Sequence, residues 1–172
     1  NHAIISFDPN IRLPLWSSAE ACQETVREFL PDADLVKLSD EECFFVTGKH
    51  SILDAADWLF EQGCKMVLYS MGKEGAMILT PHFSSHVENP EVRVKDTTGA
   101  GDAIIGAYLY CLAKNHITVS QLADCLPEQV QEWLTFAVYY ANYSITKSGA
   151  IASYPDYTTF VKWMQEKRKK AH

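Results

Sequence analysis

The sequence predicts an α/β fold: a mostly parallel sheet covered by helices on both faces. Short apolar runs at 3–7, 35–38 and 66–70 have the length of buried strands. Amphipathic segments of helical length stand between them. Runs that alternate with helices in this way need crossover connections, which bring consecutive strands together in parallel. A length of 172 residues, 47% hydrophobic and 22% charged, suits one domain with a real core.

Ala3–Phe7 reads as a strand stopped by Asp8-Pro9-Asn10, because proline and its neighbours leave the ladder. A helix over 18–30 follows, with Ser18 as N-cap and Pro31 just past its end. After the strand at 35–38, Ser39 stands three residues before Glu42, the spacing of a capping box. It opens a short helix that ends at Gly48. The helix over 51–62 is stopped by Gly63. The strand at 66–70, a turn at 71–75 and a strand at 76–80 come next. Residues 81–95, with Pro81 and Pro90, are less regular and hold short β-prone pieces. Gly99 opens a helix to about Lys114. A long helix over 128–147 carries Trp133, Phe136, Ala137, Tyr140, Ala141 and Ser144 on one face. The loop Ser148-Gly149-Ala150 leads to a last helix near 156–169. In open α/β sheets ligands sit beyond the carboxyl ends of the strands. The turns at 8–10, 39–42, 70–75 and 96–102 are therefore expected on one rim.

Formal net charge is −7, from 15 basic and 22 acidic residues, which argues against bulk binding to nucleic acid. A small anion held by backbone N–H groups remains compatible with it. The five cysteines, Cys22, Cys43, Cys64, Cys111 and Cys125, show no C-x-x-C spacing, so neither zinc nor a disulfide framework is expected. Free thiols point to a reducing cytoplasm. No apolar stretch is long enough to span a membrane. The chain starts at Asn1, almost directly in an apolar run, and reads as a piece of a longer protein.

The run Asp96-Thr97-Thr98-Gly99-Ala100-Gly101-Asp102 carries the chemistry. Gly99 and Gly101 lack Cβ and let a ligand approach the backbone closely. They precede the apolar helical segment 103–110, so they sit at a helix N-terminus, where free N–H groups and the dipole favour an anion. Asp102 beside such a hole suits a general base that takes a hydroxyl proton while the N–H groups stabilise a transferring phosphoryl group. Asp102 is equally suited to capping the helix, and spacing alone does not separate the two readings. The run is neither a Walker A loop nor a G-x-G-x-x-G.

D-T-T-G-A-G-D resembles the C-terminal signature of the ribokinase-like, or PfkB, carbohydrate kinases. Ser6 to Arg12 with Leu15-Trp16, and Ala33 to Glu42, resemble segments of the fructokinase branch. Ser70-Met71-Gly72-Lys73-Glu74-Gly75 is similar to the family's T-x-G-x-x-G nucleotide turn, and Thr146-Lys147-Ser148-Gly149-Ala150 to its T-[KR]-x-G-A loop. The resemblance runs from residue 3 to about 160. It implies the C-terminal, nucleotide-binding and catalytic part of one kinase domain over 1–172, a ribokinase-like three-layer αβα sandwich without its lid and N-terminal strands.

The resemblance also implies roles. Asp102 is the base, and the N–H groups of Gly99, Ala100, Gly101 and Asp102 form the anion hole. Ser70, Met71, Gly72, Lys73, Glu74 and Gly75 line the nucleotide, Gly101 and Ser39 adjoin it, and Val138 stands where the adenine lies. Glu42 matches the acid of the family's N-x-x-E motif and handles Mg²⁺ indirectly; Ser39 replaces that motif's Asn. Asp96, Thr98, Ser144, Lys147, Gly149 and Ser153 match a monovalent-cation site, usually for K⁺. The implied activity is transfer of the ATP γ-phosphate to a primary hydroxyl of a sugar, fructose first. The alternatives are ribose, a nucleoside or 2-keto-3-deoxygluconate as acceptor, a catalytically silent relative, or an inactive fragment. The implied partners are a sugar and ATP, with no nucleic acid or membrane, and a homodimer for the full-length protein. Arg12 is open to a phosphate contact or a structural salt bridge. The aromatic residues of 128–147 read as packing groups, and Lys167 to Lys170 as a solvated basic helix end.

Overall fold

The computed structural model describes residues 3–170. Five strands form one sheet in the order β1 (Ser6–Phe7), β2 (Leu35–Ser39), β3 (Met66–Ser70), β4 (Ala76–Leu79), β5 (Ser84–Val87). The pairs β1–β2 and β2–β3 are parallel, while β3–β4 and β4–β5 are antiparallel. Four of the five strands thus run the same way, and only β4 is reversed. Its reversal follows from the connection: residues 71–75 are too few for a crossover and can join only antiparallel neighbours.

Five helices cover the sheet, α1 (Ala19–Phe29), α2 (Asp40–Thr47), α3 (Ile52–Glu61), α4 (Ala100–Lys114) and α5 (Pro127–Ser144), and α6 (Tyr157–Lys170) packs on α5. Strand alternation sorts the apolar side chains into two layers. Val36, Leu38, Val67 and Leu79 pack with α1–α3. Leu35, Met66, Leu68, Ala76 and Ile78 pack with α4 and α5. The result is the expected three-layer αβα sandwich, with the sheet buried on both sides.

Local chemistry sets the helix ends. The Ser18 side chain accepts from Ala21 N, and Ser39 and Glu42 form the capping box of α2. Gly48 closes α2 in the left-handed conformation at φ 72°. Asp156 accepts from Thr159 N at 3.0 Å in the first turn of α6.

Three sequence expectations change. Residues 84–87 form a strand inside the stretch read as less regular. It is an outer strand whose alternating exposure is carried by Ser84, Ser85, His86 and Val87, so its outward face is polar and its period hard to see. The core face of α5 is Val130, Trp133, Leu134, Ala137, Val138 and Ala141, one step round from the expected stripe. Phe136 and Tyr140 point instead to a lateral aromatic cluster with Tyr110, Tyr154 and Phe160. Lys167, read as solvated, donates to the Glu91 carbonyl and lies over the Trp163 ring.

All five cysteines are buried with free thiols. Burial pushes Cys43 and Cys64 up to about 11 and Cys111 to about 12, so these thiols are poor nucleophiles. No helix among the described residues is long and apolar enough to cross a membrane.

Gly75 stands at φ 98°, and a methyl group there would lie 2.0 Å from the Val87 carbonyl oxygen. Gly106, inside α4, has open space around it and ordinary helical φ. We expect Gly75→Ala to lower stability by more than the ~1–2 kcal/mol that a left-handed residue costs. Gly106→Ala should raise it by about 0.5–1 kcal/mol. Thermal or urea unfolding of the two variants checks both signs.

Candidate active site

The carboxyl ends of β1, β2 and β3 open into a cavity of about 670 Å³, closed on the other side by the first turn of α4 and by α5. The turns at 8–12, 39–42, 70–75 and 97–102 all contribute to its wall, as does Val138.

Register explains why these side chains converge. Phe7 pairs with Val36 in parallel, so Asp8 comes level with Lys37. Ser39 pairs with Ser70 at the ends of β2 and β3. Lys37 and Ser39 lie two residues apart and share the α4–α5 face of β2.

Glu42 is the tie between these turns. Its Oε1 accepts from Ile11 N at 2.8 Å, and its Oε2 accepts from Ser39 N and Ser39 Oγ, each at 3.0 Å. Burial pushes the carboxyl up, but the bonds from Ser39 N and Ile11 N and the charge of Lys37 outweigh it and hold the group below its ordinary value. The Ser39 hydroxyl proton is thereby committed to Glu42. Asp8 behaves oppositely: burial raises it against the attraction of Lys37. Its contact with Lys37 Nζ, at 3.3 Å, is longer than each of the three bonds on Glu42.

The glycine-rich run is built as a bend into α4. Gly99 is the N-cap at φ 78°, and its helix has no side-chain cap. A methyl group on Gly99 would lie 2.8 Å from the Tyr154 hydroxyl and 2.9 Å from Ala150 Cβ. The Tyr154 hydroxyl donates to the Gly99 carbonyl at 2.9 Å, which fastens the bend to the 150–154 loop. Ala100 N donates to the Thr97 carbonyl at 3.1 Å. Among the described residues, Gly99, Gly101 and Asp102 N–H have no protein acceptor. Three open donors therefore face the cavity, and the Ala100 donor is spent within the bend.

Asp102 does not cap α4. Its carboxylate is exposed, makes no hydrogen bond among the described residues, and borders both the large cavity and a second one of about 300 Å³ beside Tyr110, Phe136 and Tyr154. Burial raises the Tyr154 phenol, and the charge of nearby Asp102 adds to it.

The nucleotide-turn residues divide. Ser70, Gly72 and Gly75 line the cavity, whereas Met71, Lys73 and Glu74 do not, and Lys73 is exposed. Val138, Ile104, Ala141 and Ile145 make an apolar patch opposite them. Asn142 connects the two: its amide donates to Asn89 Oδ1 at 2.7 Å and to the Val138 carbonyl at 2.9 Å, and Asn89 donates to the Gly72 carbonyl at 2.8 Å. Arg12 lines the cavity and bonds only the Ile11 carbonyl, at 2.8 Å; among the described residues it has no carboxylate partner. The sequence alone assigns no site role to Lys37, Asn89, Asn142 or Tyr154. Lys37 alone carried a signal, as a lysine inside a short apolar strand.

Asp96 joins the positions matched to a monovalent cation. Its Oδ1 accepts from Thr98 N at 3.0 Å and Thr98 Oγ1 at 2.7 Å, and its Oδ2 from Gly149 N at 2.8 Å. Lys95 N and Asp96 N reach the Ile145 carbonyl, between Ser144 and Lys147. Ser153, buried, closes the next turn on Ala150. These segments offer carbonyls, hydroxyls and one carboxylate, the donor set of a hard cation. No group of three or more His, Cys, Asp or Glu that could hold a metal ion occurs among the described residues. A divalent ion here would depend on ligand oxygens and water, with Glu42 behind them.

Residues 1–157 match the pfkB family carbohydrate kinases, and the chain belongs to that family. It is 35% identical to Fructokinase-2 of Solanum habrochaites over 89% of its length and 45% of that protein's. Fructokinase of Xylella fastidiosa with bound ATP superposes with a TM-score of 0.89 at 27% identity, over 97% of this chain and 53% of that one. A Vibrio cholerae fructokinase double mutant in fructose, ADP and potassium ion bound form gives 0.81 at 30% identity, over 94% and 50%. The chain spans about half the length of these relatives.

The hydrogen bonds from Gly149 and Thr98 push Asp96 down to about 2 from an ordinary 3.8. A carboxyl lowered by folding stabilises the fold above its ordinary value, and the contribution fades as pH falls toward 2. Between these limits the melting temperature of wild type should fall more steeply than that of Asp96→Asn, and thermal unfolding against pH measures it.

Proposed function

We propose that this chain is the C-terminal nucleotide-binding and catalytic part of a single kinase domain. Its full-length protein transfers the ATP γ-phosphate to a primary sugar hydroxyl, with fructose as first candidate. The observation that carries this reading is the exposed, uncapped Asp102 beside the three open N–H donors of the α4 bend. A carboxylate spent on capping could not act as a base; this one is free to.

Asp102 takes the proton of the sugar hydroxyl, and the hydroxyl oxygen forms a bond to the γ-phosphorus. The bond from that phosphorus to the β–γ bridging oxygen breaks, and ADP leaves with the electron pair. Gly99, Gly101 and Asp102 N–H donate to the phosphoryl oxygens as charge redistributes, where the α4 dipole adds to their effect. Ser70, Gly72 and Gly75 cradle the nucleotide, and the patch around Val138 receives the flat face of the base. Ser39 shapes the wall beside the phosphates.

Mg²⁺, when bound to ATP, neutralises phosphate charge. Glu42, kept ionised by its three hydrogen bonds, fits an indirect hold on it through water. Asp96, Thr98 and Gly149, with the carbonyls at Ser144 and Lys147 and the Ser153 hydroxyl, fit K⁺. Such an ion beside the bend would hold the α4 N-terminus in place. The five free thiols support a cytoplasmic setting, and the family resemblance supports a homodimer.

Asp102→Asn in the full-length protein should lower kcat by roughly 10²–10⁴-fold, the contribution of a positioned base, with MgATP affinity largely kept. Unchanged turnover removes Asp102 from the mechanism. A panel of fructose, ribose, nucleosides and 2-keto-3-deoxygluconate tests the acceptor, and rapid turnover of another member without fructose turnover contradicts that choice.

A further inference from the structure

Lys37 is a buried cation with unused donors. It is 5% exposed, on the face of β2 turned to α4 and α5. Its ammonium group carries three N–H donors. One reaches Asp8 Oδ1 at 3.3 Å. Glu42 Oε2, at 3.9 Å, lies outside hydrogen-bond range and contributes charge alone. Lys37 therefore has donors left over beside the cavity it lines. On its other side a methyl group placed on Gly101 would lie 3.2 Å from Nζ. The ammonium thus stands against the turn that offers the open N–H groups of Gly99, Gly101 and Asp102.

A structural role does not account for this placement. Desolvation offsets most of what a buried ion pair contributes to stability, and an apolar residue would do as well or better in a strand flanked by Leu35 and Leu68. A positive charge packed on a helix N-terminus is also opposed by the dipole. An anion bound between the two relieves that opposition, because it is attracted by both.

We propose that Lys37 is a catalytic residue that donates hydrogen bonds to the transferring phosphoryl group beside the α4 N–H groups. Asp8 and Glu42 hold its ammonium in place. The inference rests on the kinase reading above. Lys37 forms no covalent bond and passes no proton in this role. It adds fixed positive charge where the phosphoryl oxygens carry charge in transfer. The position is set by one clasp: Glu42 binds Ile11 N, which anchors the loop carrying Asp8, and Asp8 in turn holds Lys37.

The test is calorimetric binding of MgATP and MgADP to the full-length protein, as wild type, Lys37→Met and Lys37→Arg. MgADP lacks the transferring group and reports an intact fold and nucleotide site. Lys37→Met should weaken MgATP roughly 10- to 100-fold while changing MgADP less than about threefold, and Lys37→Arg should recover most of the loss. Equal weakening of both nucleotides, or of neither, overturns the assignment and leaves the kinase reading standing. A wild-type protein that binds neither nucleotide overturns the kinase reading and this inference with it. If Lys37→Met does not fold, Lys37→Gln is judged by the same comparison.

Discussion

Alternation along β2 divides this strand between a hydrophobic layer and a polar cavity. Val36 and Leu38 are buried under α1–α3, and Lys37 and Ser39 face α4 and α5. A slip of one residue would drive the ammonium into the α1–α3 core and turn two apolar side chains to the cavity. Burial on both faces forbids that slip. The parallel register with β1 and β3 then brings Asp8 beside Lys37 and Ser70 beside Ser39. Everything in the cavity follows from the strand period and that register, together with the bend that aims α4 at them.

The site is assembled by straps between turns far apart in sequence. Glu42 joins the 8–12 loop to the α2 cap, Asp96 joins the bend to Gly149, and Tyr154 holds the Gly99 carbonyl. Each strap uses a polar group whose capacity is nearly filled by protein. Left open among the described residues are the N–H donors of Gly99, Gly101 and Asp102 and the spare donors of Lys37; exposed at the cavity wall are Arg12 and the carboxylates of Asp40, Glu41 and Asp102. A chain of net charge −7 can thus hold an anion, because the local field of a helix end and of one buried cation, Lys37, acts at contact distance, while surface carboxylates are screened.

Much of this was legible in the sequence, for physical reasons. Ser39 and Glu42 have the fixed spacing that a capping box needs, and Ser18 opens its helix by the same logic. Glycines at 99 and 101 mark a bend that other residues would strain or crowd. Other features had no one-dimensional signature. The polar strand at 84–87 lacked the apolar period that marks buried strands. Phe136 and Tyr140 fitted a helical stripe, but α5 is packed on two sides, so one period could not describe both. Asn89, Asn142 and Tyr154 are single polar residues, each with a partner 17 or more positions away. Whether Asp102 capped its helix or stood free was decided only by the position of Gly99 as N-cap.

The central claim is that the α4 bend and Lys37 together hold a phosphoryl group while Asp102 faces its acceptor. A crystal structure of the full-length protein with a non-hydrolysable ATP analogue, Mg²⁺ and a bound sugar tests it most directly. The account predicts the terminal phosphoryl oxygens within hydrogen-bond distance of Gly99, Gly101 and Asp102 N–H, with the Asp102 carboxylate on the sugar hydroxyl. A terminal phosphoryl group bound elsewhere, with Asp102 turned away from the sugar, would contradict it.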